Sequence, residues 1–269
     1  MQGRVLIVAG SDSGGGAGIQ ADIKTVTALN GYAMTAITAL TAQNTQGVFG
    51  IHEVPPDFIR QQMRLVLEDI GADCIKTGML HKTAVIETVC EALAAYAPKT
   101  PLVVDPVMVS QSGHRLLDPA AMDALKRDLI VRATVLTPNL PEAELLTGCT
   151  IRDIDDMRHV GHMLLTLGPA AVLMKGGHMD GETVIDLLVT EQETLAMEAP
   201  RIDTGSNHGT GCTLASALAV GLAQGLALRA AVERARAYVR EALRTAPHYG
   251  TGSGPLNHAH TVRDFAAQP

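Results

Sequence analysis

The chain has no tryptophan and only three phenylalanines and four tyrosines in 269 residues. So few flat aromatic faces exclude a base-stacking platform for single-stranded nucleic acid. No long basic run is present and the net charge is −7, so the electrostatic footprint of a phosphodiester-binding protein is missing as well. Cysteine is scarce. Cys74, Cys90, Cys149 and Cys212 are scattered with no CxxC spacing, which argues against a zinc site or a disulfide framework. The apolar run in MQGRVLIVAG is too short for a signal sequence or a membrane span. These absences predict a reduced, cytoplasmic protein that engages neither nucleic acid nor membrane.

What is present is core material. Hydrophobic residues make up 46% of the chain and charged residues 18%, a balance that supports a well-formed interior. With no linker, repeat or break in composition, the reading is one domain over residues 1–269. Short β-rich runs at 4–10, 33–40, 74–79, 101–107, 134–139 and 170–177 alternate with helical patterns at 56–71, 82–96, 119–130, 141–148 and 153–167. Ile19, Ile23, Val26 and Leu29 set one apolar face on a helix after the first strand. ETVIDLLVT and ETLAMEAPRI read as an antiparallel pair, and helices at 210–225 and 227–246 close the domain. This alternation predicts an α/β protein with a mostly parallel sheet and helices on both faces. In such folds ligands bind beyond the C-terminal ends of the strands.

Two glycine-rich stretches stand out. In HGTGCTLASALAVGL (208–222), Gly209, Thr210 and Gly211 expose backbone N–H groups at the start of a small-residue helix, an arrangement suited to a phosphate. Cys212 falls in that helix's first turn, where a thiol pKa is expected to be lowered. The plainer reading is a turn before a core helix with Cys212 as a small apolar residue. GSDSGGGAGIQAD (10–22) follows the first strand. It is neither a Walker A loop, since GK[ST] is absent, nor a GxGxxG fingerprint, since Ile19 stands where the third glycine belongs.

Together with TALTAQNTQGV, KTGML, VVDPVMVSQSG, LTPNLPEAELLTG, VLMKGGH and the tail GSGPLNHAH, these stretches resemble the hydroxymethylpyrimidine/phosphomethylpyrimidine kinases of thiamin biosynthesis, in the ribokinase-like superfamily. The resemblance runs from about residue 4 to residue 260. It implies a three-layer α/β/α ribokinase-like fold, usually a homodimer, that uses ATP and Mg²⁺. It implies two successive phosphorylations, of 4-amino-5-hydroxymethyl-2-methylpyrimidine and then of its monophosphate. Where the family commonly has Asn-Thr before HGTGC, this chain has Ser206 and Asn207.

The resemblance also distributes roles. Gly209 and Gly211 form the anion hole, Cys212 is the proposed base, and Lys175 lies beside the nucleotide phosphates. Gln43 contacts the pyrimidine, a role its chemistry supports, because a primary amide donates and accepts at once, matching a ring nitrogen beside an exocyclic amine. Gly10, Ala17, Met79 and Val107 complete the substrate pocket. Asn139, Thr204 and Thr210 attend the nucleotide. Asp105 and Glu142 are hard oxygen donors for the metal, although Pro141–Glu142 also reads as an ordinary helix start. Asp22 and His208 stay open between structural and ligand-contacting roles. The alternative substrates are pyridoxal and pyridoxine, which the same family also phosphorylates, and a non-catalytic vitamin or nucleotide sensor is the alternative outside enzymes.

Overall fold

The structure, a computed structural model, describes residues 2–110 and 113–263. Gln111 and Ser112, within the VVDPVMVSQSG motif, and Met1 and residues 264–269 of the domain lie outside them.

A nine-stranded sheet forms the middle layer. Its strands are β1 (Arg4–Asp12), β2 (Tyr32–Asn44), β3 (Gly47–Glu53), β4 (Cys74–Thr77), β5 (Leu102–Val104), β6 (Val135–Leu136), β7 (Ala171–Met174), β8 (Thr183–Thr190) and β9 (Thr194–Pro200). They lie in the order β3-β2-β1-β4-β5-β6-β7-β8-β9. The six central strands are parallel, and β3 at one edge and the β8–β9 pair at the other are antiparallel.

The side-chain alternation of β1 divides the core. Val5, Ile7 and Ala9 meet α1 (Gly18–Ala28), α7 (Thr210–Ala223) and α8 (Leu228–Arg244). Leu6 and Val8 belong to the opposite cluster, built with α2 (Pro56–Asp69), α3 (Thr83–Tyr96), α5 (Leu140–Thr147) and α6 (Ile154–Leu165). Both faces are covered, which explains why β1 reads as a continuous apolar run rather than an alternating one. The expected three-layer α/β/α arrangement is the one observed. Among the described residues no helix is long and apolar enough to cross a membrane.

Three local readings change. The 119–130 helix is a composite: a 3₁₀ turn (Pro119–Ala121), a short α-helix α4 (Met122–Ala124), a π turn (Leu125–Leu129) and a further 3₁₀ turn (Ile130–Arg132). Strand β3 went unread, because its exposed edge shows no clean period-two pattern; Phe49 is 71% exposed. On α1 the apolar face is rotated: Ile23 is 37% exposed and Asp22 is wholly buried in its place.

The reason for that rotation lies in the sheet. Lys76, on the central strand β4, points between the layers with no exposed surface, and its Nζ sits 2.9 and 3.0 Å from the two Asp22 oxygens. Ser216 Oγ, on α7, donates to Asp22 Oδ1 at 2.6 Å. One carboxylate thus ties the sheet to both α1 and α7. Burial works against the Lys76 charge, but the carboxylates of Asp22 and Asp105 outweigh it and hold the ammonium above the ordinary lysine range. Lys76→Met should cost about 3–5 kcal/mol in urea denaturation, since it strands the Asp22 charge. Lys76→Met combined with Asp22→Leu should recover most of that loss. A double variant no more stable than the single one would contradict this account.

Candidate active site

The C-terminal ends of β1, β2, β4, β5, β6 and β7 open into one cavity of about 500 Å³. Every residue to which the resemblance gives a role lines it: Gly10, Ala17, Gln43, Met79, Asp105, Val107, Asn139, Glu142, Lys175, Thr204, Gly209, Thr210, Gly211 and Cys212; of the two left open, His208 lines it and Asp22 does not. The β1–α1 loop and the segment before α7 are far apart in sequence, yet they form adjoining walls.

Their junction is backbone on backbone. Gly209 has φ +84°, and a Cβ there would stand 1.9 Å from the Gly16 carbonyl oxygen, so only glycine fits. Gly209 offers α7 no side-chain cap. Thr210 N donates to the Asn207 carbonyl at 3.3 Å, which leaves the Gly211 and Cys212 N–H groups, on residues lining the cavity, as anion donors at the positive end of the helix dipole. Thr210 Oγ1 donates to the Asn207 carbonyl at 2.7 Å, bracing the turn.

Cys212 follows immediately, and here the expectation of a lowered pKa is overturned. Burial pushes the thiol up to about 12; the Lys76 ammonium and the Gly18 amide pull it down, while Asp22 and Asp105 add to the rise. The helix terminus is real, but desolvation of a thiolate outweighs it. The thiol is neutral in the ligand-free protein.

Just beyond β7, Lys175 Nζ lies 2.9 Å from Asp105 Oδ1 and 3.9 Å from Glu142 Oε2, with its side chain 13% exposed. It is no solvated surface lysine. A Cβ on Gly211 would come within 3.1 Å of Lys175 Nζ, so this glycine keeps the ammonium beside the start of α7. Asn139 and Glu142 form a capping box on α5: Glu142 N donates to Asn139 Oδ1 at 2.9 Å and Asn139 N donates to Glu142 Oε2 at 2.8 Å. The plain helix-start reading of Glu142 is therefore correct, and the same carboxylate also faces the cavity. Burial raises its pKa to about 7; Lys175 opposes the rise and the Asp105 charge adds to it. Among the described residues no three His, Cys, Asp or Glu side chains cluster as a ready metal site.

Some members of the site carried little signal in the sequence. Asp12 accepts N–H bonds from Gly14, Gly16 and Ala17 at 2.7, 3.0 and 2.8 Å and so shapes the glycine loop. His208 Nε2 is 2.9 Å from Asp12 Oδ2, linking that loop to the segment before α7. Asp22, open in the sequence reading, proves to be the partner of Lys76 behind Cys212. A lysine inside the buried run CIKT was the one available hint of that pair.

The family model described as phosphomethylpyrimidine kinase matches residues 12–257. The chain belongs to the phosphomethylpyrimidine kinase family. The hydroxymethylpyrimidine/phosphomethylpyrimidine kinase of Streptomyces coelicolor is 48% identical over 94% of this chain and 93% of its own length. The thiamine biosynthesis bifunctional protein ThiED of Geobacter sulfurreducens is 49% identical over 98% of this chain, which spans only 54% of that protein. Among solved structures, the pyridoxal kinase of Staphylococcus aureus in complex with AMP-PCP and pyridoxal aligns with a TM-score of 0.87. It is 34% identical over 96% of this chain and 94% of that one. The phosphomethylpyrimidine kinase family and its pyridoxal-kinase neighbour thus share this ribokinase-like scaffold.

The raised Glu142 value has a measurable consequence. The folded protein holds a proton that the unfolded chain releases above its ordinary value of 4.5. That contribution to stability is complete below the ordinary value and is lost as pH rises through about 7. The Tm of the ligand-free protein should fall across this window, and Glu142→Gln, which can still cap α5, should flatten the slope. Parallel Tm–pH curves for the two proteins would refute it.

Proposed function

We propose that the protein transfers the γ-phosphoryl group of ATP to the hydroxymethyl oxygen of 4-amino-5-hydroxymethyl-2-methylpyrimidine, and then phosphorylates the monophosphate to the diphosphate. The observation that carries this reading is the single cavity joining the α7 anion donors, Lys175 and the Gln43 amide. The likeness to the 48%-identical hydroxymethylpyrimidine/phosphomethylpyrimidine kinase of Streptomyces coelicolor supports it.

ATP use is supported by the AMP-PCP complex of the Staphylococcus neighbour. A feature of this chain agrees: Asn207 lines the cavity, and its buried Oδ1 has no hydrogen-bond partner among the described residues. It can accept from a ribose hydroxyl or an adenine amine, with Thr204 on the same wall. The donor set also fits Mg²⁺. Asp105 and Glu142 are two buried carboxylates sharing one lysine, and a cation entering with the nucleotide would offset the burial and the Asp105 charge that hold Glu142 up. Magnesium is commonly held by one or two carboxylates plus phosphate oxygens. When bound, it would neutralise charge on the transferring phosphates.

The chain's own residues do the rest. The N–H groups of Gly209, Gly211 and Cys212 face the equatorial oxygens of the migrating phosphoryl, and Lys175 meets the β- and γ-phosphates. Gly10, Ala17, Met79 and Val107 wall the ring, and Gln43 reads its edge. Cys212 stands beside the acceptor oxygen. As a base it must first be deprotonated, with Lys76 and the helix terminus favouring the thiolate. Because phosphoryl transfer passes through a loose transition state, positioning and charge carry most of the rate and the thiol supplies the smaller share.

The second step differs. A phosphate acceptor is already ionised near neutral pH and needs no strong base. Cys212→Ala should slow the first transfer by roughly 10²–10⁴-fold and the second by less. Single-turnover assays resolve the two steps, and equal losses would overturn the assignment. Mass spectrometry of wild-type products from the aminopyrimidine with Mg·ATP should show one and then two added phosphates. Pyridoxal phosphorylation is the second reading, favoured by the Staphylococcus likeness. A higher kcat/KM on pyridoxal than on the aminopyrimidine would establish it instead.

A further inference from the structure

Gln43 ends β2 with its amide between two polar neighbours. With Nε2 toward His208 Nε2 and Oε1 toward Thr41 Oγ1, each at 3.2 Å, the amide conflicts with proton counting at both ends. At the His208 end, Asp12 Oδ2 lies 2.9 Å from the same Nε2. Asp12 accepts three backbone N–H bonds, and although burial opposes its charge, these bonds and His208 hold its carboxyl below the usual range. An ionised carboxylate only accepts, so His208 Nε2 carries the proton. A donor amide end would then face another donor. At the other end, Thr41 Oγ1 is 2.9 Å from the Ser11 carbonyl oxygen, which can only accept. The single hydroxyl proton points there, so an amide oxygen would face a lone pair.

Turning the amide by 180° about its last side-chain bond removes both conflicts, and the atoms to be exchanged differ only as nitrogen and oxygen. The Gln43 oxygen then takes the longer arm, at 3.2 Å, of a proton that His208 Nε2 shares with Asp12 at 2.9 Å, and its nitrogen donates to Thr41. One lone pair and one N–H are left for a ligand.

We propose that His208, anchored by Asp12, is a positioning residue that locks the Gln43 amide in this sense and thereby selects the ring substrate. An edge that pairs an exocyclic amine with the Gln43 oxygen and a ring nitrogen with its N–H is accepted. A ring offering acceptors at both positions, as pyridoxal does with its aldehyde and phenolic oxygens, meets the locked oxygen unfavourably. This rests on the aminopyrimidine reading above and adds the residue that enforces it.

The test compares wild type with His208→Leu, His208→Gln and Thr41→Val. KM and kcat are measured for the aminopyrimidine, and pyridoxal binding is read as a substrate or as a competitive inhibitor. Losing the lock should raise the aminopyrimidine KM roughly 3- to 10-fold in His208→Leu, with kcat less affected and the preference over pyridoxal reduced. His208→Gln, which keeps a donor, should restore the preference. Thr41→Val acts at the opposite end of the amide, so it should reproduce the KM effect even if the His208→Leu protein does not fold. An unchanged preference in His208→Leu, or in Thr41→Val should that protein not fold, overturns the lock. So does failure of His208→Gln to differ from His208→Leu. If wild type itself does not phosphorylate the aminopyrimidine, the function proposal fails and the lock falls with it, a result visible in the wild-type arm alone.

Discussion

Between Gly16 and Gly209 two loops from opposite ends of the chain approach so closely that even a methyl group would not fit. That contact fixes where the cavity can be. It brings the loop after β1, which shapes the wall around Ala17, against the start of α7, which carries the anion donors. His208 and Asp12 reinforce the same junction with a side-chain bond across it. The close approach demands backbone without side chains on both sides, which is why each loop is glycine-rich although neither matches a standard nucleotide fingerprint.

Beneath the junction lies an unusual arrangement of charge. Lys76 and Asp22 are fully buried and satisfied by each other and by Ser216, and they sit behind Cys212. In front of it, Lys175 faces Asp105 and Glu142. Two ammonium groups therefore flank the point where negative charge would gather. Each is balanced by carboxylate in the resting protein, so the site is close to neutral until a nucleotide enters. Buried pairs of this kind rarely add stability over an apolar core. Their value here lies in holding charge in fixed positions where water cannot reorganise it.

Much of this was legible in the sequence. The layer architecture follows from strand–helix alternation, and the cavity residues follow from motifs at strand ends. The details that were not legible depend on burial. The first turn of a helix lowers a thiol pKa as a local property, whereas the burial and charges that raise that of Cys212 come from elements distant in sequence, Asp22 on α1 and Asp105 after β5 among them. Ile23 was placed inward on periodicity, but Lys76, more than fifty residues away, draws Asp22 into the core instead. The broken helix at 119–132 has an apolar pattern close enough to 3.6 to hide its 3₁₀ and π turns. Edge strand β3 shows little alternation because it borders the sheet, with Phe49, Gly50, His52 and Glu53 all exposed.

The neutral state of Cys212 reaches beyond phosphoryl transfer. Thiolates, not thiols, react with peroxides and electrophiles, and a thiol pushed up to about 12 presents almost none at neutral pH. The neutral thiol form therefore protects this sulfur from oxidative damage. Any condition that ionises the sulfur for work would also end that shelter, so chemical vulnerability and catalytic readiness at this one atom rise and fall together.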